Sequence, residues 1–392
     1  MNFPAIDLLR AAAALLVLTY HVIALSAWSS LAPASVPAVL RNGWFGVDLF
    51  LVISGFVIAL AALQGVERKG PAFRREFAGR RLARIAPLYL LTGVVAVLLV
   101  QPQVVMQRDG PLQLVSHLLF VHNLSHVTHG SINGPNWSVA LEMQFYLLML
   151  WLAPRLVRIG PGRLLAGAVV IAAAWRIGAV LATTDAPLIV RFIYVTQLPG
   201  VIDQFALGIA LALLVRSPQG PWRQWLRPGW LASGSWFALG LVLLAAANRL
   251  QGEPNYLASG SLVVAGRPLL AAGCAALLAA AITFPAADAR ILAPLRYLGR
   301  ISYGIYLWHM LVLLAVTRLV PQLQGVPLLL YVLAGSVALA ALSWHLMEQP
   351  CIERMRRWLA ARAAAAGPLA VEAPAAAAEP ASLPTTQPRT LT

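Results

Sequence analysis

The chain has 392 residues, of which 60% are hydrophobic and only 11% are charged. Soluble domains carry about 25% charged residues, so this composition excludes an ordinary soluble fold and indicates an integral membrane protein. The net charge of +15 would suggest nucleic-acid binding in a soluble protein. In a membrane protein, basic residues set the topology instead, and we expect no nucleic-acid partner.

Apolar blocks long enough to cross a bilayer core of about 30 Å recur along almost the whole chain. They predict an all-α fold, a polytopic transmembrane helical bundle of about ten spans. The predicted spans are residues 5–28, 44–63, 85–100, 137–153, 164–182, 200–215, 229–247, 268–284, 301–317 and 327–347. The apolar segment 112–124 is too short to span, and we interpret it as a re-entrant or interfacial piece.

Basic residues are concentrated in alternate connections between these spans. The connection 63–84 holds seven of them: Arg68, Lys69, Arg74, Arg75, Arg80, Arg81 and Arg84. The positive-inside rule places such connections in the cytoplasm, which predicts a multi-pass inner-membrane protein with both termini cytoplasmic. We expect residues 1–357 to form the membrane domain and the Ala/Pro-rich residues 358–392 to form a disordered cytoplasmic tail.

Charged and titratable residues within a membrane are costly, and each one is therefore a candidate for function. On the first predicted helix, Arg10 and His21 are eleven residues apart. This spacing is about 20° beyond three full turns, so both side chains share one face, about 16 Å apart along the axis. A histidine at this depth can act as a general base for a hydroxyl, whereas the simpler alternative is a packing hydrogen bond to another helix.

Two carboxylates occur in the predicted spans. Asp48 lies one turn below the outer surface of the second span, followed by Ser54 and Gly55, whose small size favours close helix approach. Glu142 lies about a third of the way into the fourth span, where a carboxylate requires a partner. His21 is at a comparable depth, so we expect Glu142 or Asp48 to orient its ring, although structural roles for both carboxylates are the alternative.

Clustered guanidinium groups suit the binding of phosphate. Arg81 and Arg84 are i, i+3 neighbours on any helix there, and Arg80 adjoins them. The alternative is that these arginines only set topology or contact anionic lipid. His309 is predicted in mid-membrane and is the second candidate base. His122 and His126 are spaced for a metal, but without cysteine or a nearby carboxylate we expect no metal site.

Taken together, these motifs resemble those of the acyltransferase-3 family of membrane O-acyltransferases over about residues 5–355. The similarity rests on five groups of residues in the same order. These are Arg10 with His21; Gly46 to Phe50 leading into Ser54, Gly55 and Phe56; Arg81 and Arg84 before Pro87; Trp137 and Ser138 with Glu142, Phe145 and Tyr146; and Gly299 to Tyr303 with Tyr306, His309, Glu348 and Pro350.

The resemblance implies transfer of an acyl group, usually acetyl from acetyl-CoA, to a hydroxyl of an envelope glycan or glycolipid outside the cytoplasm. No permanently bound cofactor is implied, since acyl-CoA is a substrate. By this resemblance His21 is the catalytic histidine, assisted by Glu142 or Asp48. The expected donor site comprises Arg10, Arg80, Arg81 and Arg84. The expected substrate contacts are Tyr146, Tyr303 and His309.

The residues leave two questions open. His21 could act as a general base or could carry the acyl group in a covalent intermediate. A saccharide or lipid transporter, or a flippase, would also use titratable residues in mid-membrane, although it would have no need of a nucleotide-phosphate site. A non-catalytic scaffold would leave the buried histidine, arginine and glutamate unexplained.

Overall fold

The structure, a computed structural model, describes residues 3–26, 28, 37–217, 220–251 and 256–365. Within these residues all regular structure is helical, and ten helices are long and apolar enough to cross a membrane. We number these helices α1 to α10 in chain order. They are α1 Ala5–Ala24, α2 Gly46–Lys69, α3 Phe73–Val95, α4 Asn136–Leu152, α5 Pro161–Ala182, α6 Leu198–Arg216, α7 Trp230–Gln251, α8 Gly260–Thr283, α9 Ser302–Leu319 and α10 Gly325–Ser343.

Shorter helices connect these spans. The longer ones are Gly110–Leu118, Leu188–Val195 and Ala293–Arg300, and two π-helical turns, Ala96–Val100 and Trp344–Glu348, extend α3 and α10. Helix Gln349–Ala365 follows the second π turn without a break. The predicted interfacial segment 112–124 is formed by helix Gly110–Leu118 and a 3₁₀ turn at His122–Leu124.

The centre of the bundle is α2, whereas α5 and α7 lie at its periphery. In the most apolar stretch of each helix, 78% of the residues are buried in α2, against 22% in α5 and 17% in α7. Away from the helix ends, the exposed large side chains of α5 and α7 are apolar, so their outward faces can contact lipid directly. Helix α2 packs on α6, α1, α8, α3 and α4, which places it at the centre of the bundle.

Glycines set the close crossing of α2 and α6. A Cβ at Gly55 would lie 2.2 Å from the Phe205 carbonyl oxygen, and a Cβ at Gly208 would lie 2.1 Å from the Val52 carbonyl oxygen. No other residue fits at either position without moving the backbone, which confirms the predicted close approach at Gly55. This contact brings polar side chains of α6 against α2.

The prediction of ten spans in an all-α bundle is confirmed, and the cytoplasmic placement of the termini stays a prediction. Three predicted boundaries were wrong. The arginine-rich residues 74–84 are the first turns of α3 rather than a connection, because Phe73, Phe77 and Ala83 give this stretch a buried face. Helix α8 begins eight residues before Pro268, at Gly260, where the Ser259 hydroxyl caps it.

The third boundary is that of the predicted tail. The last helix continues through residues 358–365, beyond the predicted start of disorder, because the Ala, Leu and Arg side chains of this stretch are good helix formers. Residues 366–392 of the predicted tail lie outside the described residues.

Candidate active site

Three of the predicted donor arginines surround one cavity. Arg10 of α1 and Arg81 and Arg84 of α3 line a space of about 90 Å³ between α1, α2, α3, α4 and α9. We call this space the arginine cavity. Its wall also contains Glu142, and Arg10 is paired with Asp7 at 3.2 Å. The packing of the helices therefore brings these three arginines together around one cavity.

Aromatic rings hold Arg81 in place. Its guanidinium carbon lies 5.4 Å from the centre of the Phe77 ring and 5.7 Å from that of Tyr146. The Arg81 Nε group is buried and has no hydrogen-bond partner among the described residues. Stacking fixes the plane of the guanidinium while leaving N–H donors available, which suits a site for an anionic group.

Arg80 points away from the arginine cavity. It forms an exposed ion pair with Glu76 and lines a second basic space, of about 310 Å³, together with Arg68 and Lys69. Arg81 is in the walls of both spaces. The four predicted donor residues therefore lie along two adjoining basic cavities, and Arg68 and Lys69, which sequence reasoning treated only as topology signals, belong to this surface.

The two predicted histidines meet at the other end of α1. Nδ1 of His21 lies 3.1 Å from Nε2 of His309 on α9 and 3.0 Å from the Val17 carbonyl oxygen. Nδ1 of His309 lies 2.6 Å from the Tyr306 carbonyl oxygen, and His309 is only 1% exposed. This histidine pair was not predicted, because sequence reasoning treated His309 as an alternative to His21 and not as its partner.

The hydrogen bonds fix the proton positions of the neutral pair. A carbonyl oxygen can only accept, so Nδ1 of His309 donates to the Tyr306 carbonyl. Nε2 of His309 is then an acceptor, and Nδ1 of His21 donates to it while also facing the Val17 carbonyl. Nε2 of His21 is consequently left unprotonated, the state that a general base requires.

His21 lines a cavity of about 370 Å³, which we call the histidine cavity. Asp48, Arg267 and several aromatic residues are also in its wall. Val47, Leu51 and Tyr306 belong to the walls of both the histidine and the arginine cavities. The two cavities are thus neighbours within the bundle and are separated only by shared side chains.

The predicted contact of a carboxylate with His21 is not formed. Glu142 accepts a hydrogen bond from the Ser54 hydroxyl at 2.7 Å and lies in the arginine cavity. Asp48 accepts from the Gln204 amide at 2.6 Å and from Arg267 at 3.2 Å. The comparable depth of Glu142 and His21 in the membrane did not predict a contact between them, because the two side chains face different cavities. The contact that orients the His21 ring comes from His309.

The predicted substrate tyrosines lie on the arginine side. Tyr146 and Tyr303 line the arginine cavity, and the Tyr303 hydroxyl donates to the Ile85 carbonyl at 2.9 Å. Tyr306, one turn along from Tyr303, was predicted only as part of a motif. Its hydroxyl is 2.7 Å from the Ser138 hydroxyl and donates to the Pro135 carbonyl at 3.0 Å, which fixes the ring in the wall between the two cavities.

A second buried ion pair was missed. Arg176 of α5 donates through Nη2 to both oxygens of Asp203 on α6, at 2.7 and 2.8 Å, and neither residue is more than 2% exposed. Arg267 lies in α8 beside Asp48. The sequence contains the signal for this pair, because an arginine or an aspartate within an apolar helix is rare. The rule that such charges are candidates for function was not applied to Arg176 and Asp203.

Two of the histidines outside the spans, His117 and His122, are buried. The His117 and His122 rings stack, with centroids 3.9 Å apart, and burial lowers their pKa values to about 4 and about 3 respectively. His126, the other member of the suggested metal pair, is exposed. The described residues contain no group of three His, Cys, Asp or Glu side chains that could hold a metal ion.

Comparison with known proteins gives one family. A family model described as an acyltransferase domain matches residues 3–348. The peptidoglycan O-acetyltransferase OatA of Listeria monocytogenes is 28% identical over 371 residues, which cover 88% of this chain and 55% of that protein. The putative peptidoglycan O-acetyltransferase YrhL of Bacillus subtilis is 27% identical over 379 residues, covering 88% and 54%. The chain thus spans about half the length of these relatives. No solved structure matches.

Proposed function

Because the chain belongs to the acyltransferase-3 family, we propose that it transfers acetyl from acetyl-CoA to a hydroxyl of a cell-envelope glycan across the membrane. The similar proteins named as peptidoglycan O-acetyltransferases support acetyl as the group and peptidoglycan as the first acceptor to test. The observation that carries the proposal is the pair of neighbouring cavities, one lined by arginines and the other by His21.

The donor would bind at the arginine end. CoA has a phosphorylated nucleotide and a long, thin pantetheine arm, and guanidinium groups bind phosphate through paired N–H donors. Arg80 and Arg81 would face the phosphates, and Arg10 and Arg84 would lie where the arm enters the bundle. The arm would then pass Val47, Leu51 and Tyr306 to bring the thioester to His21.

The transfer itself requires a base and loss of the thiolate. Nε2 of His21 takes the proton of the acceptor hydroxyl, whose oxygen forms a bond to the thioester carbonyl carbon. The carbon–sulfur bond then breaks, and the proton passes from His21 to the sulfur of CoA. His309 holds the proton on Nδ1 of His21, so that Nε2 stays the reacting nitrogen. A route through acyl-His21 would use the same nitrogen as nucleophile.

The test uses the full chain in lipid vesicles with acetyl-CoA labelled in the acetyl group. We expect CoA release that depends on an unacetylated peptidoglycan fragment, with the label bound to that fragment as an ester. The control replaces acetyl-CoA by CoA and labelled acetate. Movement of the fragment across the vesicle without consumption of acetyl-CoA would instead identify a transporter.

A further inference from the structure

The histidine cavity contains hydrogen-bond donors that the protein itself does not use. Nε of Arg267 is buried without a hydrogen-bond partner among the described residues, and the amide nitrogen of Gln251 and the hydroxyl of Tyr256 are buried with no hydrogen-bond contact there other than the one between them. These side chains are 3%, 8% and 5% exposed, and all three line the histidine cavity. The Arg267 Nε–H, the Tyr256 O–H and one N–H of the Gln251 amide are therefore left without an acceptor. Buried donors are nearly always paired, so three such donors around one space indicate a bound molecule that accepts hydrogen bonds.

The charges around this cavity are already compensated. Arg267 is paired with Asp48, and behind this pair Arg176 is bound to Asp203 at 2.7 Å. The cavity therefore offers N–H and O–H donors without an excess of positive charge. A phosphate would find no unpaired cation there, whereas the hydroxyl and ring oxygens of a saccharide would be matched.

Aromatic rings form much of the remaining wall. Trp137 is held by stacking on His129, with ring centres 5.5 Å apart, and by the edge of Phe192. Trp44 lies under the Arg267 guanidinium at 5.7 Å. Rings fixed in this way present flat, electron-rich faces. The C–H face of a pyranose is apolar and slightly positive, so it is complementary to such a ring.

We infer that the histidine cavity binds one pyranose ring of the acceptor glycan, stacked on Trp44 and Trp137, with its oxygens bonded by Arg267, Gln251 and Tyr256. This inference rests on the proposed acyl transfer and adds the residues that select the acceptor. The cavity volume of about 370 Å³ is within the range of about 300–1,000 Å³ that small-ligand sites have. A ring held there would have its hydroxyls beside His21.

Two conservative variants test the inference. Tyr256→Phe removes only a hydroxyl, and Arg267→Lys keeps a cation beside Asp48 but removes the Nε–H donor. The probe is the disaccharide of N-acetylglucosamine and N-acetylmuramic acid, and the readout is the KM for this probe at saturating acetyl-CoA. Loss of one hydrogen bond in a buried site should raise this KM about five- to tenfold in each variant.

Matched controls are Tyr331→Phe and Arg249→Lys, which change the same residue types at exposed positions on α10 and α7. Their KM for the disaccharide should equal that of the unmodified protein. The inference is overturned if Tyr256→Phe and Arg267→Lys leave the KM for the disaccharide unchanged, or if they raise the KM for acetyl-CoA instead. An unmodified protein that never consumes acetyl-CoA would refute the proposed function itself, a result distinct from both.

Discussion

The arginine cavity and the histidine cavity share part of one wall but differ in electrostatic character. Three arginines and one glutamate line the first, and one arginine paired with one aspartate lines the second. An excess of cations inside a membrane protein is costly unless an anion joins it, so the arginine cavity is suited to a charged ligand. The compensated charges and aromatic walls of the histidine cavity suit a neutral polar one.

The proposed transfer requires one bundle to hold two unlike substrates, and this difference would allow it. The cationic site would attract phosphates at one end, while the neutral site would not compete for them at the other. Only an acyl group and a thin arm need to pass the shared side chains Val47, Leu51 and Tyr306. The two cavities should therefore respond differently to tests of topology, rate, stability and affinity.

The sharpest prediction concerns the side of the membrane on which each cavity opens. A reporter inserted after Gly70, between α2 and α3, and one fused after Arg362 should both report the cytoplasm, because basic residues flank both sites. A reporter inserted after Gln107, which lies beyond α3, should report the opposite side. A periplasmic signal at Gly70 would reverse the roles of the two cavities.

The largest kinetic effect is expected at His21. His21→Asn should lower the rate of acetyl transfer about 10²–10⁴-fold, because asparagine keeps hydrogen bonding but cannot accept the proton. The amount of folded protein in the membrane and its affinity for acetyl-CoA should stay normal. His21→Ala gives the same test without the hydrogen bond. Near-normal transfer by His21→Asn would show that the base lies elsewhere, with His309 the first alternative.

A comparable effect on stability is expected behind the histidine cavity. Arg176→Met alone leaves Asp203 buried without its partner, and this should lower the free energy of unfolding by about 3–5 kcal/mol. The double variant Arg176→Met with Asp203→Leu should recover most of the loss, because no unpaired charge remains. The measurement is the unfolding midpoint in a fixed detergent. Equal midpoints for the single and double variants would show that the pair is not coupled.

The sequence predicted the spans better than their ends. A membrane-crossing helix is recognised in the sequence by about twenty consecutive apolar residues, which is a local property. The arginine-rich start of α3 has no such signature, and its helix depends on Phe73 and Phe77 packing inside the bundle. Pro268 looked like a helix start, yet α8 begins at Gly260 and includes it. Proline is tolerated there because neighbouring membrane helices can satisfy the freed backbone groups.

Sequence alone could predict those features of the site that lie on a single helix. The spacing of Arg10 and His21 gives their common face from helical geometry alone. The partner of each buried group depends on which helices are adjacent. Helix neighbours are set by close contacts such as that of Gly55 on α2 with the backbone of α6. Sequence reasoning therefore named His21 and His309 without pairing them. It assigned Glu142 or Asp48 to His21, whereas Glu142 accepts from Ser54 and Asp48 accepts from Gln204.

Substitutions in the arginine cavity should weaken the binding of acetyl-CoA. Arg81→Ala with Arg84→Ala should raise the apparent dissociation constant for acetyl-CoA about 10–100-fold, since charge-assisted hydrogen bonds to phosphate are lost. Insertion and the KM for the saccharide should not change. Arg155→Ala, an exposed arginine after α4, is the matched control. If the double variant binds acetyl-CoA normally, the arginines serve only topology or lipid contact.

The last prediction concerns His309, which acts through His21 as a positioning residue. His309→Leu removes the acceptor for Nδ1–H of His21, so the ring can turn or change tautomer, and kcat should fall about 10–100-fold because orientation is lost. His309→Gln offers a side-chain oxygen at a similar reach and should restore much of this loss. A purely structural histidine would give the opposite pattern, with lower thermal stability and a nearly normal kcat. The KM for acetyl-CoA should be the same in all three proteins, because the arginine cavity is unchanged. Equal kcat values for the leucine and glutamine variants would show that the hydrogen bond to His21 does not set its reacting nitrogen.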